Sequence, residues 1–397
     1  MKFRPHILIV PSWYSDPDNP ILGSFFQEQA AALARRGAKV GVVYAETRSL
    51  PKLSLSTLRQ SRFQITSALE DGIPTVRMHG WNPHIRSQIG ARLWTRWTLT
   101  LMRRYATQYG VPDLVHSHSA LWGGFAASVM CRTWHCPHVV TEHATGFAKN
   151  SFALWTKPFI RRTFESADAV LAVSSSLREL IQPYANDRQI EIIPNMVDVT
   201  FFDLPPAPRK TLPFRFLSLA RLVPQKAMDV LIRAFAQAFR DVPDVLLEIG
   251  GKGEQREALE KLCQAENIQD KVRFLGPLSR EEVRSALHSA NAFVLASHIE
   301  TFGVVFIEAM ATGLPVIATR CGGPEEFVTP QVGLLIDSGD MEALAAALRL
   351  LPARSQEGAY PLNEIREYVV RRYSDAAVCD TLEAIYAQVS SRGQAAV

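Results

Sequence analysis

Short apolar runs recur along this chain, and a stretch with helical periodicity follows each of them. Residues 6–10 (HILIV) read as a buried strand. Ser24–Arg36 then places Phe25, Phe26, Ala30, Leu33 and Ala34 on one helical face, Gly37 fits the stop, and Lys39–Tyr44 reads as the next strand. Strand, helix, strand in this order is the βαβ unit of a parallel sheet, and strands without polar alternation belong to a sheet covered on both faces. The pattern returns with strands at 113–115, 138–141 and 169–173. Residues 203–213 (DLPPAPRKTLP) interrupt it with four prolines and read as a linker. A second series follows, with strands at 214–219, 245–249, 272–275, 292–296, 315–318 and 333–336. Its helices fall at 229–240, 254–266, 280–288, 304–312 and 341–350, and a last amphipathic helix at 374–390. The chain is therefore expected to be α/β, with two doubly wound domains at 1–202 and 214–372, the linker 203–213 between them, and a terminal helical segment at 373–397. A cleft between two such domains is the expected ligand site, since open parallel sheets bind ligands at the carboxyl ends of their strands.

Composition bounds the reading further. The 397 residues are 47 % hydrophobic and 21 % charged, which is ordinary for a globular protein with two cores. No run approaches the roughly 18–20 apolar residues that span a bilayer. The opening MKFRPHILIV has no leader pattern, and five cysteines are an odd, sparse count, so a reducing compartment, the cytoplasm, is expected. The net charge of +4 is unevenly placed: residues 1–200 hold 22 Lys and Arg against 14 Asp and Glu, and the remainder holds 21 against 25. A basic front half suits an anionic acceptor or the inner face of a membrane. The excess is modest and no nucleic-acid motif accompanies it, so nucleic acid is not an expected partner.

Four segments carry candidate chemistry, each at the end of an expected strand. The loop after residue 296 holds Glu300, Thr301 and Phe302, Gly303 turns the backbone, and a helix starts near Val304 with Glu308 one turn inside it. The first amides of such a helix lack acceptors and suit an anionic or oxygen-rich ligand, while two carboxylates can accept from vicinal sugar hydroxyls. Ala220–Lys226 (ARLVPQK) places Arg221 and Lys226 where they can grip a diphosphate. Gly250–Gly253 (GGKG) offers Gly251 and Gly253 for close backbone approach. In the first domain Gly23 opens a helix, and His143 lies just past a strand, placed to contact a sugar or steady charge.

The ordered set Arg221–Lys226, IIPN-x-VD at 192–198, Glu300–Glu308 in E-x7-E spacing, GLPVIAT and GLL at 333–335 resembles the retaining glycosyltransferases of family 4 over nearly the whole chain. The opening residues 11–30 look like members that build bacterial surface polysaccharides. The resemblance implies the GT-B fold, two facing Rossmann-like domains, with the last helix crossing back to the first. It implies that Arg221 and Lys226 hold the donor diphosphate, Glu308 the ribose and Glu300 the donor sugar beside the amides of Phe302, Gly303 and Val304. It further implies that His143 lies near the transferred sugar and Gly23 near diphosphate or acceptor. The expected donor is a nucleoside diphosphate sugar of UDP or GDP type, the acceptor a glycan or lipid-linked glycan, with no cofactor and no metal. Ala227 and Met196 stand where the family has glycine, at positions that can require positive φ.

Other signals are discounted. Asp16-Pro-Asp18 has the letters of a metal-binding DxD but lies among prolines, and Glu142 is only a weak candidate nucleophile for double displacement. The CRTWHCPH run at 131–138 lacks a second ligand pair for zinc. His116 and His118 share one side of a strand end, which leaves a ligand-cleft role open to them but makes an incomplete metal site by itself. Trp94, Trp97, Leu101 and Tyr105 lie opposite Arg92, Arg96 and Arg103 on one helix, a pattern shared by interfacial membrane helices and by ordinary helices packed on a sheet. Two alternatives to transfer remain at this level: epimerisation or hydrolysis of a nucleotide sugar, and a non-catalytic nucleotide-sugar-binding scaffold.

Overall fold

The sequence places alternating residues of each strand on opposite sides of a sheet, and the computed structural model, which describes residues 4–15, 23–49 and 54–395, shows what covers each side. The chain forms two units, Met1–Met196 with Val378–Val397, and Val197–Ala377. The first is built on β1 (His6–Pro11), β2 (Lys39–Arg48), β3 (Gln64–Glu70), β4 (Ile73–Trp81), β5 (Leu114–His118), β6 (His138–Glu142), β7 (Ala169–Ala172) and β8 (Ile190–Ile192). Their order is β3-β4-β2-β1-β5-β6-β7-β8, parallel throughout except for the antiparallel β3–β4 edge.

Ile7 and Ile9 of β1 point into a core with Phe26 and Leu33 of helix Ser24–Arg35. The same core receives Val378, Leu382, Tyr386 and Val389 from helix Asp375–Ala395. Arg36 fixes that terminal helix with Glu383, at 2.6 and 2.9 Å, and with Asp380. Leu8 and Val10 point the other way, into a core with Trp94, Leu101, Met102 and Tyr105 of helix Gln88–Tyr109. The aromatic stripe on that helix is therefore core: Trp94 is buried and its indole donates to the Ala45 carbonyl at 2.9 Å. An interfacial role for the aromatic face is corrected here, because those rings are spent on the sheet.

The second unit holds β9 (Phe214–Leu219), β10 (Val245–Gly250), β11 (Val272–Gly276), β12 (Ala292–Leu295), β13 (Val316–Arg320) and β14 (Gly333–Asp337), all parallel. The order β11-β10-β9-β12-β13-β14 is the doubly wound order that reverses between its first and fourth strands. Two Rossmann-like α/β units, as expected, make up the chain. The reversal matters because connections leave β9 and β12 in opposite directions, opening a crevice at their carboxyl ends. In the first unit the corresponding reversal lies between β1 and β5.

Candidate functional site

The crevice between β9 and β12 is where the second unit gathers its chemistry. Beyond β9, Arg221 is exposed, and a single turn, Pro224–Lys226, carries Lys226 inward. Beyond β12, Glu300 is buried and its strand-like backbone pairs with Gly322, its amide donating to Cys321 and its carbonyl accepting from Gly323 at 2.8 Å. The two loops are stitched together: His298 donates its amide to the Gln225 carbonyl, and the Gln225 amide side chain donates to the Ile299 carbonyl, both at 2.9 Å. This brings the Lys226 ammonium onto Oε1 of Glu300, which also accepts from Ser297 Oγ at 2.8 Å. Oε2 of Glu300 carries neither bond. Burial pushes the neighbouring Cys321 thiol up to about 12, so it stays protonated.

Gly303 follows with φ 98 and starts helix Val304–Ala311; a Cβ there would meet the Phe306 ring at 2.9 Å. The amides of Val304 and Val305 precede the first intrahelical bond and so are available to a ligand. Phe302 is buried beneath the loop against Phe327, and Glu308 is half-buried in the second turn of the helix. The strand end, the glycine and the helix thus place Glu300, Phe302, Gly303, Val304 and Glu308 on one connected segment, with Lys226 joined to it by an ion pair.

Gly251 and Gly253 prove to be packing partners of the Arg221 loop. A Cβ on Gly251 would lie 1.8 Å from the Ala220 carbonyl oxygen, and one on Gly253 would lie 2.1 Å from that of Leu222. Leu222 donates to Lys252 at 3.0 Å and Gln255 to Leu222 at 3.1 Å, so the glycine loop props up the cation loop from behind. With φ +135 as well, Gly251→Ala is expected to destabilise the second unit by at least about 3 kcal/mol, read from urea denaturation by circular dichroism. Ala227 does adopt the left-handed conformation anticipated for its position, with φ 48, whereas the φ of Met196 is not positive. A left-handed alanine costs on the order of 1 kcal/mol, and the fully buried methyl of Ala227 offsets part of it.

In the first unit His143 stands directly after β6. Its Nε2 lies 3.1 Å from Nδ1 of His118, and its ring contacts Phe25 and Phe26 at 5.2 and 5.0 Å between centroids. Phe26 also stacks on His118 at 4.3 Å. Gly23, with φ 74, makes this possible, because a Cβ there would crowd the Phe26 ring and the Trp13 carbonyl. Burial pushes His143 down to about 3 and His118 well below its ordinary value, so both rings are neutral at pH 7. One of them donates to the other. Nδ1 of His143 and Nε2 of His118 are both buried without a protein partner, so either tautomer leaves one N–H and one lone pair unspent.

Glu142, the weak nucleophile candidate, is corrected. Its Oε1 accepts from the amides of His143 and Ala144 and its Oε2 from Ala120, each at 2.8 Å, so both oxygens brace the backbone. His116 bonds Tyr386 at 2.7 Å and Thr141 at 2.8 Å, which accounts for both its ring nitrogens as core groups, and His138 bonds Ser117 at 2.8 Å through Nε2 while its buried Nδ1 has no protein partner. Asp16 and Asp18 lie outside the described residues. Ser297 and Gln225 carry no local sequence signal, whereas the alternation of His118 with His116 on a strand end is the signal for a ligand-cleft role.

Comparison with known proteins bears on this geometry. The sequence model described as "Glycosyltransferase Family 4" matches residues 22–201, and "Glycosyl transferases group 1" matches residues 203–359. A Mycolicibacterium smegmatis protein, GDP-mannose-dependent alpha-(1-6)-phosphatidylinositol monomannoside mannosyltransferase, is 30 % identical over 62 % of this chain and 70 % of its own length. The chain belongs to glycosyltransferase family 4. The resemblance read from the E-x7-E and RLxxxK segments is thereby borne out. This family 4 chain is also 29 % identical to a component of human phosphatidylinositol N-acetylglucosaminyltransferase over 70 % of its residues, and to Mycobacterium tuberculosis glycogen synthase over 62 %. Those alignments span 58 % and 63 % of the relatives, so the chain covers less than two thirds of their length. Its fold matches sucrose-phosphate synthase from Thermosynechococcus elongatus, with a TM-score of 0.77 and 22 % identity over 98 % of this chain and 100 % of that one. It also matches Anabaena HepE in complex with UDP, with a TM-score of 0.72 and 19 % identity over 96 % of this chain and 99 % of that one. Both are GT-B folds, the fold expected for the family 4 chain. Among its described residues no helix is long and apolar enough to cross a membrane.

Proposed function

We propose that this chain transfers a hexosyl group from a nucleoside diphosphate sugar, of uridine or guanosine type, to a hydroxyl of a glycan or lipid-linked glycan, with the anomeric configuration retained and no metal required. The observation that carries the reading is the meeting of Lys226, Glu300 and Ser297 beside an open helix N-terminus at the β9–β12 reversal. A diphosphate needs cations and oriented amides, and a sugar ring needs carboxylates; this crevice supplies both.

In the reaction the bond between the anomeric carbon and the diphosphate oxygen breaks, and its electron pair leaves with the phosphate. The acceptor oxygen bonds the anomeric carbon on the same face, and its proton passes to the departing phosphate. Arg221 and Lys226 stabilise the charge that grows on that phosphate, with the amides of Val304 and Val305 adding partial positive charge. Glu300 already positions Lys226 through Oε1 and has Oε2 left to accept from a sugar hydroxyl. Glu308 takes the ribose hydroxyls. His143, neutral and with an unspent ring nitrogen, meets the sugar as a hydrogen-bonding group rather than as a cation. UDP in the HepE complex and GDP-mannose in the mycobacterial relative's name support the donor class. The lipid acceptors in the relatives' names support a lipid-linked one. The proposed place of action is the cytoplasm.

Incubation with a panel of nucleotide sugars and lipid-linked or free glycan acceptors tests the reading. One donor is expected to yield a new glycoside with the donor's anomeric configuration by proton NMR. Conversion of the donor to an epimer without acceptor, or tight donor binding with no turnover on any acceptor, would replace transfer by epimerisation or by a scaffold role.

A further inference from the structure

The basic face of helix Gln88–Tyr109 is unused by the reaction above. Between residues 72 and 164 the chain has eleven Lys and Arg and only two acids, Asp113 and Glu142. Glu142 is buried with both oxygens bonded to backbone amides, and Asp113, exposed and accepting from the His6 amide at 2.7 Å through one oxygen, forms no ion pair among the described residues. Arg92, Arg96 and Arg103 are exposed, and among the described residues no carboxylate pairs with them. With Ile89, 59 % exposed, they form one helical stripe opposite the buried Trp94–Tyr105 stripe. The three guanidiniums line a cavity of about 310 Å³ whose apolar wall is Leu99, Phe125 and Phe159.

Aromatic rings continue from that wall. Phe159 meets Phe125 and Trp122 edge-on at 4.9 and 5.3 Å, and Trp122 stacks on Trp155 at 5.7 Å with 14° between planes. Leu154, next to Trp155, is 78 % exposed. Half-buried indoles, protruding aliphatic side chains and unpaired arginines on one connected set of elements match a surface that is apolar at one depth and anionic at the next. From Arg92 to Arg103 the helix rises by about 16 Å, more than one phosphate can bridge, so the row fits several headgroups rather than a single free anion.

We infer that this face docks on a bilayer carrying anionic phospholipids, with Arg92, Arg96 and Arg103 against lipid phosphates and Ile89, Leu154 and Trp155 in the headgroup layer. The inference is independent of the transfer reaction, because its test reads binding and not turnover. The full chain is floated with phosphatidylglycerol–phosphatidylcholine vesicles and with phosphatidylcholine alone, at low and high salt. Binding is expected only to the anionic vesicles and only at low salt. The triple variant Arg92→Gln, Arg96→Gln, Arg103→Gln is expected to bind about 150-fold more weakly, which is three charges at about 1 kcal/mol each. Arg96→Glu alone changes the charge by two and is expected to lose about 30-fold, should the triple variant fold poorly. A control that removes the same charge from the second unit, Lys261→Gln, Arg273→Gln, Arg349→Gln, is expected to bind like the unchanged chain. Equal loss in control and test variants, absence of binding to anionic vesicles, or displacement by inorganic phosphate but not by chloride of equal ionic strength would each overturn the inference.

Discussion

Lys226→Ala is expected to lower turnover of the donor by about 10²–10³-fold, the range found when one preorganised donor to a developing charge is removed. The loss should fall mainly on kcat, because the diphosphate is most negative as it leaves and an interaction that strengthens there acts on the barrier. The substitution also has a structural consequence. Glu300 is 8 % exposed and would keep only Ser297 on Oε1, so its carboxylate would be left largely buried without a cation. That situation destabilises by about 3 kcal/mol where burial is complete, and by less here. The two effects separate in the double variant with Glu300→Gln, whose neutral amide needs no counter-charge and can still meet Ser297. Stability in urea should return towards that of the unchanged chain, while turnover should remain low. Turnover within threefold of the unchanged chain in a folded Lys226→Ala protein would remove Lys226 from the chemistry.

Acid is expected to unfold the first unit well before the second. Burial holds His116, His138 and His143 at about 3, and His118 well below the ordinary histidine value near 6.5. In the unfolded chain these groups take up protons below about pH 6.5, whereas in the native unit they do not, so stability is full above that pH and falls as pH drops towards 3. Between pH 7 and pH 5 each histidine costs roughly 2 kcal/mol by this linkage, and the four together cost on the order of the whole stability of a domain. Glu142, whose carboxyl burial pushes up, acts in the opposite direction but is a single group. The second unit contains only His288 and His298, neither of them buried. All seven tryptophans lie in the first unit, so their emission reports that unit alone. A red shift of tryptophan emission below about pH 6, with a large part of the far-ultraviolet dichroism retained, is the expected result. Coincident loss of both signals only below about pH 4 would show that these histidines do not set the acid limit.

The legible parts of this chain are those where local pattern and tertiary demand agree. The expected and observed bounds of β9 coincide because both faces of FRFLSL are needed by the core, and those of β1, β10 and β12 differ by a residue at one end. The β3–β4 hairpin is hard to see in the sequence because β3 is largely exposed and carries no apolar alternation. Its signal was the Asp71-Gly72 turn, where φ is 50 and 79, the pairing that favours a two-residue hairpin loop. The tryptophan-bearing helix was ambiguous because periodicity says that one face is apolar but not what lies against it; the Ala45 carbonyl under Trp94 decides that. At the site, charged groups at strand ends were readable one by one. That Lys226 and Glu300 share an ion pair, and that Ser297 and Gln225 hold the two loops together, depends on β9 and β12 being neighbours, which no local window contains.

Calorimetric titration of the chain with uridine, guanosine and adenosine diphosphates, each beside its monophosphate, tests the central claim most directly. For one base the diphosphate should bind at least about tenfold more tightly than the monophosphate, since Arg221 and Lys226 act on the second phosphate through charge-assisted bonds. In Arg221→Ala, Lys226→Ala that advantage should vanish while the monophosphate binds as before. A diphosphate preference that survives the double substitution, or no nucleotide binding by the folded chain, would contradict the placement of the donor in this crevice.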